Sequence, residues 1–504
     1  MGLIRVALRQ PHRLSRISRK ATPASTLRWH RTYATSISAA ELEFGQPVHE
    51  THPHILKPGE ITPGITAQEY ADRRAKLAFS LPDGAVAVLP SAEIKYRSGA
   101  VFYPFRQESN FLYLTGFSEP NSLAVIRKTG PSLGDYSFHL FCRPKDALAE
   151  QWFGPWSGLR AAEDVFNADE AGDIHQLPSL LPPLLRGATR IYTDADPRSP
   201  SSFFQSLSSS SSSSSPPPST APLQPLVNAL RAIKSPAEIA AMRHAGQVSG
   251  RAITSAMRRA WASEPDLQAY LTFAFSQHGL SGPAYVPVVA GGRRGRLIHY
   301  VHNTALLDAA ETILVDAGGE YGWYITDITR TWPASGRFGA AQRDLYGAVL
   351  RAQRVSVSLC RASAGLSLDE IHRATEAELQ RELTKLGFDF GGGGGGGVGG
   401  VLGRIGAGAG RTSDLMGVLF PHHVGHYIGL DVHDTPGYSR SVPLRAGHCV
   451  TIEPGVYVPD DERFPKHFRG LAVRIEDSVC VEEDTQLVLT AEAVKEVEDI
   501  EALR

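Results

Sequence analysis

The sequence predicts an α+β protein of two domains, an α/β domain followed by a larger one that carries the chemistry. Three observations lead there. At 504 residues the chain is too long for one ordinary core. Its first half alternates short β-branched apolar runs with helical patterns, as α/β units do. Its second half sets amphipathic helices beside strands that end or centre on ionisable residues.

The chain opens on a distinct leader. Arg5, Arg9, Arg13, Arg16, Arg19, Lys20, Arg28 and Arg31 precede the first acidic residue, Glu41, and Ser and Thr are frequent. An Arg-rich, acid-free start predicts a mitochondrial transit peptide, placed at 1–33. Taking those eight charges from 51 leaves 43 basic against 52 acidic residues, about −9 in place of −1. Neither balance suggests a nucleic-acid partner. No apolar run is long enough to span a membrane. Cys142, Cys360, Cys449 and Cys480 are scattered without CxxC pairing, so neither a disulfide framework nor a thiolate zinc site is indicated.

The N-terminal domain is expected over 62–206. Stretches 85–89, 122–126, 138–142 and 190–193 read as strands, and 67–78 as a helix. The aromatic-rich stretch 103–120 reads as a packed strand and turn. No catalytic constellation is visible in this half. Eight serines at 208–215 and three prolines at 216–218 fall in a predicted low-complexity linker, 207–225.

The C-terminal domain is expected over 226–504. Ser235, Pro236 and Glu238 form a capping box with proline at the first helical position, and Ile239, Met242, Ala245 and Val248 follow at helical spacing. Stretches 266–278, 340–362 and 367–386 read as further helices. The glycine-rich stretch 391–410 is expected to be an exposed insert; no GK[ST] follows, so it is not a phosphate loop.

Strands at 312–318, 324–330, 448–453 and 471–479 carry Asp316, Asp327, Glu453, and Arg474 with Glu476. A charge on a buried strand needs a partner or a metal, because burying it alone costs several kcal/mol. Between them, stretch 421–434 holds His422, His423, His426 and His433. Any single His here reads most simply as a satisfied imidazole. Four carboxylates and one imidazole together suit two divalent cations, and oxygen-rich ligation favours Mn, Mg or Ca. A water held between such cations loses a proton near neutral pH and attacks a carbonyl. His299, His422 and His433 are candidates to donate or shuttle protons, and Arg474 to orient an acidic ligand.

At these residues the chain resembles the pita-bread (creatinase/aminopeptidase) metallopeptidases, specifically aminopeptidase P, the Xaa-Pro aminopeptidases. The matching segments, in order, are Val315-Asp-Ala-Gly, Ile325-Thr-Asp-Ile-Thr-Arg, His422-His-Val-Gly-His with the following residues to His433, Thr451-Ile-Glu-Pro-Gly and Arg474-Ile-Glu-Asp. Ile298-His-Tyr matches an upstream substrate-pocket His, and 105–120, Arg143-Pro-Lys-Asp and Trp152-Phe-Gly resemble that family's N-terminal domain. The resemblance implies a pita-bread catalytic domain with Asp316, Asp327, His426, Glu453 and Glu476 as dinuclear ligands. Asp327 and Glu476 would bridge, and Glu453 would double as general acid/base. It makes His299, His422 and His433 substrate-binding or proton-shuttling residues, beside Arg474 as a further candidate catalytic residue, and manganese the usual metal. His423 departs from the pattern, standing where many members carry a small residue.

Two activities fit: cleavage before proline, or, as in the mitochondrial intermediate cleaving branch, removal of one residue from imported proteins after presequence cleavage. The leader favours the second, in the matrix or peripherally on the matrix face of the inner membrane. Arg31-Thr-Tyr-Ala resembles a two-step processing site at which the enzyme would trim its own Tyr33. The expected partners are peptide or protein N-termini; self-association into a homo-oligomer stays open. A non-catalytic peptide-binding module or a metal-free creatinase-like hydrolase would lack the full ligand set.

Overall fold

A computed structural model describes residues 44–196, 203, 219–390 and 413–504. The leader, the Ser/Pro stretch 208–218 and the glycine-rich 391–410 lie outside the described residues. The chain divides into two compact units, Met1–Gln224 and Pro225–Arg504.

The first unit is built on α1 (Ala67–Ser80), β1 (Val86–Pro90), α2 (Ser109–Thr115), β2 (Leu123–Lys128), β3 (Tyr136–Cys142), β4 (Glu170–Asp173), α3 (Leu177–Leu185), β5 (Arg190–Tyr192) and β6 (Ser219–Ala221). The strands form one mixed sheet in the order β6-β5-β1-β2-β3-β4. The antiparallel pair β1/β2 sets Val88 opposite Val125, and β2/β3 sets Leu123 opposite Phe141. One face buries Val86, Val88, Val125 and Phe141 against Leu177, Leu181 and Leu185 of α3. Helix α1 packs on β2, and its Arg74 guanidinium lies 4.3 Å over the Phe138 ring while bonding the Leu114 carbonyl at 2.9 Å. Ser219–Ala221, inside the stretch expected as linker, is the sheet's edge strand.

The expected strand at 103–120 is instead centred on α2, and all seven of its residues are buried. Two local devices decide this. The Glu108 carboxylate accepts the Phe111 N–H at 2.6 Å and caps the start. Gly116, left-handed at φ +67°, closes the end, and a Cβ there would meet Ile61 and Tyr70 at under 3 Å.

After a helix at Gln224–Ala232, the second unit continues with α4 (Pro236–Met257) and α5 (Glu264–Gln277). Strands β7 (Val288–Gly291), β8 (Thr312–Asp316) and β9 (Thr329–Pro333) form an antiparallel sheet in that order. Helices α6 (Ala340–Ser358) and α7 (Leu368–Lys385) follow. A second antiparallel sheet has the order β10 (Cys449–Ile452), β13 (Asp477–Val481), β14 (Gln486–Val488). A ribbon pairs β11 (Gly455–Tyr457) with β12 (Ala472–Arg474). Capping boxes at Ser235/Glu238 and Ser367/Glu370 start α4 and α7. The largest core joins Ile253, Phe275, Val349 and Leu379 of the helices to Val289, Val315, Ile452 and Val479 of the strands.

Two strand expectations break at the residues that matter most. The stretch 471–479 splits into β12 and β13, with Glu476 in the break. The stretch 324–330 splits between Tyr324–Ile325 and β9, with Asp327 in the connection. Buried Arg330 fixes this region by bonding Asp477 Oδ1 at 2.7 Å and the Glu476 and Ala493 carbonyls.

Candidate metal centre

Asp316 ends β8 and is in register with Thr329, which starts β9 two residues after Asp327. The turn between them is tight: a Cβ on Gly318 would meet the Thr326 carbonyl at 1.8 Å. This approach brings both carboxylates to the Tyr285 hydroxyl, which lies 2.7 Å from Asp316 Oδ1 and also contacts Asp327 Oδ1. Burial, reinforced by Asp327, pushes the Asp316 carboxyl up to about 7.

His426 follows Gly425, where a Cβ would meet the Thr451 carbonyl at 1.8 Å, so the histidine segment lies flat on β10. The His426 Nδ1–H donates to the Tyr427 carbonyl at 3.1 Å. Nε2 is thereby left facing Asp327 Oδ2 and Glu453 Oε1, each 3.5 Å away. Burial opposes a charge on this ring, yet the two carboxylates outweigh it and raise its pKa to about 9. The same burial raises Glu453, which follows β10 directly.

Glu476 is 1% exposed. Its Oε2 accepts from the Thr329 hydroxyl at 2.7 Å, while Oε1 has no hydrogen-bond partner. Burial, with Asp327 and Glu453 adding to it, pushes this carboxyl well above the usual range. Ligand atoms of Asp327, His426 and Glu476 all lie within 4.8 Å of one another. Glu453 joins them through His426, and Asp316 through Tyr285. An orphaned buried oxygen inside a set of four carboxylates and one imidazole fits divalent cations, which would relieve the repulsion and supply the missing partner.

Arg474 connects this cluster to a histidine. It donates to Asp316 Oδ2 at 2.6 Å, to the Thr329 hydroxyl at 2.9 Å and to the Tyr457 hydroxyl at 2.9 Å. Tyr457 is then free to donate to His422 Nε2 at 2.8 Å, while the His422 Nδ1–H donates to the His423 carbonyl at 2.8 Å. Burial and Arg474 push His422 down to about 3, so it is neutral. His433 stacks edge-on against His426, with ring centroids 4.4 Å apart. Burial and His426 lower its pKa, as does His299, an exposed residue near this group.

Sequence reasoning missed Tyr285 and Tyr457, which lie in no charged or histidine-rich pattern, and gave no role to Thr329 and Thr451, although both lie inside the matched segments. It also missed the anchor beneath the histidine segment. Asp434 is buried with Arg231 and Lys234, accepting from Lys234 Nζ at 2.9 Å and from Arg231.

Residues 240–483 match metallopeptidase family M24, and residues 70–192 match the aminopeptidase P N-terminal domain. The chain belongs to this family and is a metalloaminopeptidase, a pita-bread catalytic domain preceded by an aminopeptidase P N-terminal domain. Among its relatives, intermediate cleaving peptidase 55 of Saccharomyces cerevisiae is 42% identical over 91% of this chain and 88% of its own. A protein of Arabidopsis thaliana named intermediate cleaving peptidase 55, mitochondrial, is 32% identical over 99% of this chain and 93% of its own. The structure of Escherichia coli aminopeptidase P with the inhibitor Pro-Leu superposes with a TM-score of 0.78, at 34% identity, covering 87% of this chain and 98% of that one.

Proposed function

We propose that this chain is a dinuclear aminopeptidase that releases a single N-terminal residue from peptides, or from imported mitochondrial proteins after presequence cleavage. Asp316, Asp327, His426, Glu453 and Glu476 hold two divalent cations, with manganese the expected metal. The observation that carries the reading is the partnerless Glu476 Oε1 beside Asp327 and His426.

Cations bound there supply Lewis acidity that makes water nucleophilic and stabilises the negative charge developing on a scissile carbonyl. The protein does the rest. Glu453, as the carboxylate, would take the proton from the attacking water and, once protonated, return it to the leaving amine, a form its buried site favours. His422, neutral and with both ring nitrogens engaged by Tyr457 and the His423 carbonyl, would give substrate a fixed ring to pack against, and would need to exchange the Tyr457 hydroxyl for a substrate donor to bond it directly. His433 and His299 line the same approach. Arg474 keeps Asp316 and Tyr457 aligned.

We assign 1–33 as transit peptide, 62–206 as N-terminal domain, 207–225 as a linker region whose Ser219–Ala221 forms that domain's edge strand, and 226–504 as catalytic domain with an insert at 391–410. Mitochondrial residence rests on the leader's composition and on the Arabidopsis relative's name. Comparing mature N-termini in cells with and without this chain tests the function. One-residue extensions on mitochondrial proteins would support it. Accumulation of Xaa-Pro peptides alone would favour the second reading, cleavage before proline, which the Escherichia coli likeness supports. A mature N-terminus at Tyr33 would overturn self-trimming.

A further inference from the structure

Two histidines packed beside the site have no part in the catalytic reading, His423 and His372. His372 lies on the first turns of α7. Its ring meets His423 edge to face at 5.5 Å and is tilted against Phe420 at 5.4 Å. Its Nδ1 lies 3.2 Å from the Val424 backbone N–H, while Nε2 faces Glu376 Oε1 at 3.6 Å on the same helix. The tautomer with its proton on Nε2 satisfies both contacts and leaves Nδ1 bare to accept. Burial, with His423 and Arg440 adding to it, pushes the ring down to about 4, so this acceptor persists at neutral pH.

Val424 is fully buried, and its other backbone group is also committed: its carbonyl accepts the Glu453 N–H at 2.7 Å. One residue thus ties α7 to the end of β10 at Glu453. The next residue is held from the same helix by a second route. The Gly425 carbonyl accepts from Arg440, whose Nε donates to Asp369 Oδ1 at 3.1 Å on the first turn of α7. The clamped pair, 424 and 425, sits between His422 and His426.

We propose that His372 is a positioning residue: through the Val424 N–H it fixes the segment that holds His422 and His426 in register with Glu453. The inference rests on the assignment of His426 and Glu453 to the metal centre. Removing the acceptor leaves a buried N–H unpaired, which the segment can relieve only by shifting both histidines. Loss of a group that orients metal ligands costs about 10- to 100-fold in affinity or activity.

The test compares three variants of the full-length protein, reading kcat, KM, melting temperature and manganese affinity by titration calorimetry. His372→Leu removes the acceptor. His372→Asn can place an amide oxygen near the Nδ1 position, whereas His372→Gln places its amide near Nε2. The expected result is an about 10-fold lower kcat and about 10-fold weaker manganese binding for Leu and Gln, with KM within twofold. Asn should recover to within about threefold of the parent on both. If Leu fails to fold, the Asn/Gln pair carries the test. Equal behaviour of Asn and Gln, or losses of melting temperature with unchanged kcat and manganese affinity, would overturn the proposal. A parent protein that neither binds manganese nor cleaves peptides would instead overturn the metal-centre assignment.

Discussion

Glu476 and Asp477 are neighbours in sequence, both almost fully buried, and their surroundings are opposite. Asp477 bonds Arg330 at 2.7 Å, Lys495 at 2.5 Å, Gln353 at 2.8 Å and the Thr490 hydroxyl at 2.8 Å. Despite its burial, those cations hold its carboxyl down at about 2. Glu476 faces Asp327, Glu453 and Asp316, keeps one oxygen unpartnered and is pushed well up. The fold pairs its structural carboxylate completely and leaves its neighbour with a single hydroxyl donor and one bare oxygen. The difference separates a charge that holds strands together from one waiting for a ligand.

The largest effect should come from the unpaired side. Asp327→Asn should cut peptide cleavage about 1000-fold, roughly 4 kcal/mol of transition-state stabilisation, while leaving the melting temperature of metal-free protein unchanged or raised. Steady-state kinetics and a thermal melt read both. A metal-free variant that melts well below its parent would place Asp327 on the structural side instead.

The paired side should show the reverse. Asp477→Asn leaves Arg330 and Lys495 without their counterion, and should cost about 3–5 kcal/mol in urea unfolding. A loss under 1 kcal/mol would erase the contrast.

A pH series on chelator-treated protein sharpens it. The folded Asp316 pKa of about 7 lies above its unfolded value near 3.9. Its contribution to stability is therefore fully present below about pH 3.9 and is lost as pH rises towards and through 7. Asp477 has a depressed folded pKa, so its contribution is present above about pH 3.9 and is lost as pH falls through about 2. Asp316→Asn should flatten the neutral limb of the metal-free stability curve and leave the acid limb in place.

Smaller effects test the supports. Tyr285→Phe removes the hydroxyl shared by Asp316 and Asp327 and should lower kcat about 10-fold. Ser235→Ala, at a residue that bonds none of the proposed ligands, should cost about 1 kcal/mol of stability through the lost helix cap, with a smaller effect on kinetics than Tyr285→Phe.

The ligand candidates were legible because each sits in a short local pattern, a charge at the end of an apolar run or a histidine among glycines. Their supports were not, because they act across the chain: Tyr285 reaches residues 31 and 42 positions away, and Thr329 reaches Glu476 across 147. The helix start at Ser235 was readable, since a capping box is complete within four residues. Strand ends were less so. Alternation ran through 471–479, yet the chain breaks at Glu476, where the Arg330 guanidinium takes the residue's carbonyl. The helix at Ser109–Thr115 was hidden by its aromatic content, which favours strands until Glu108 and Gly116 close its two ends.

Metal stoichiometry tests the central claim most directly. Chelated and then manganese-titrated parent protein should bind two ions per chain and regain peptide cleavage in step with binding, while the Asp327→Asn protein should not. Full activity in the metal-free parent, or an unchanged stoichiometry in the variant, would contradict it.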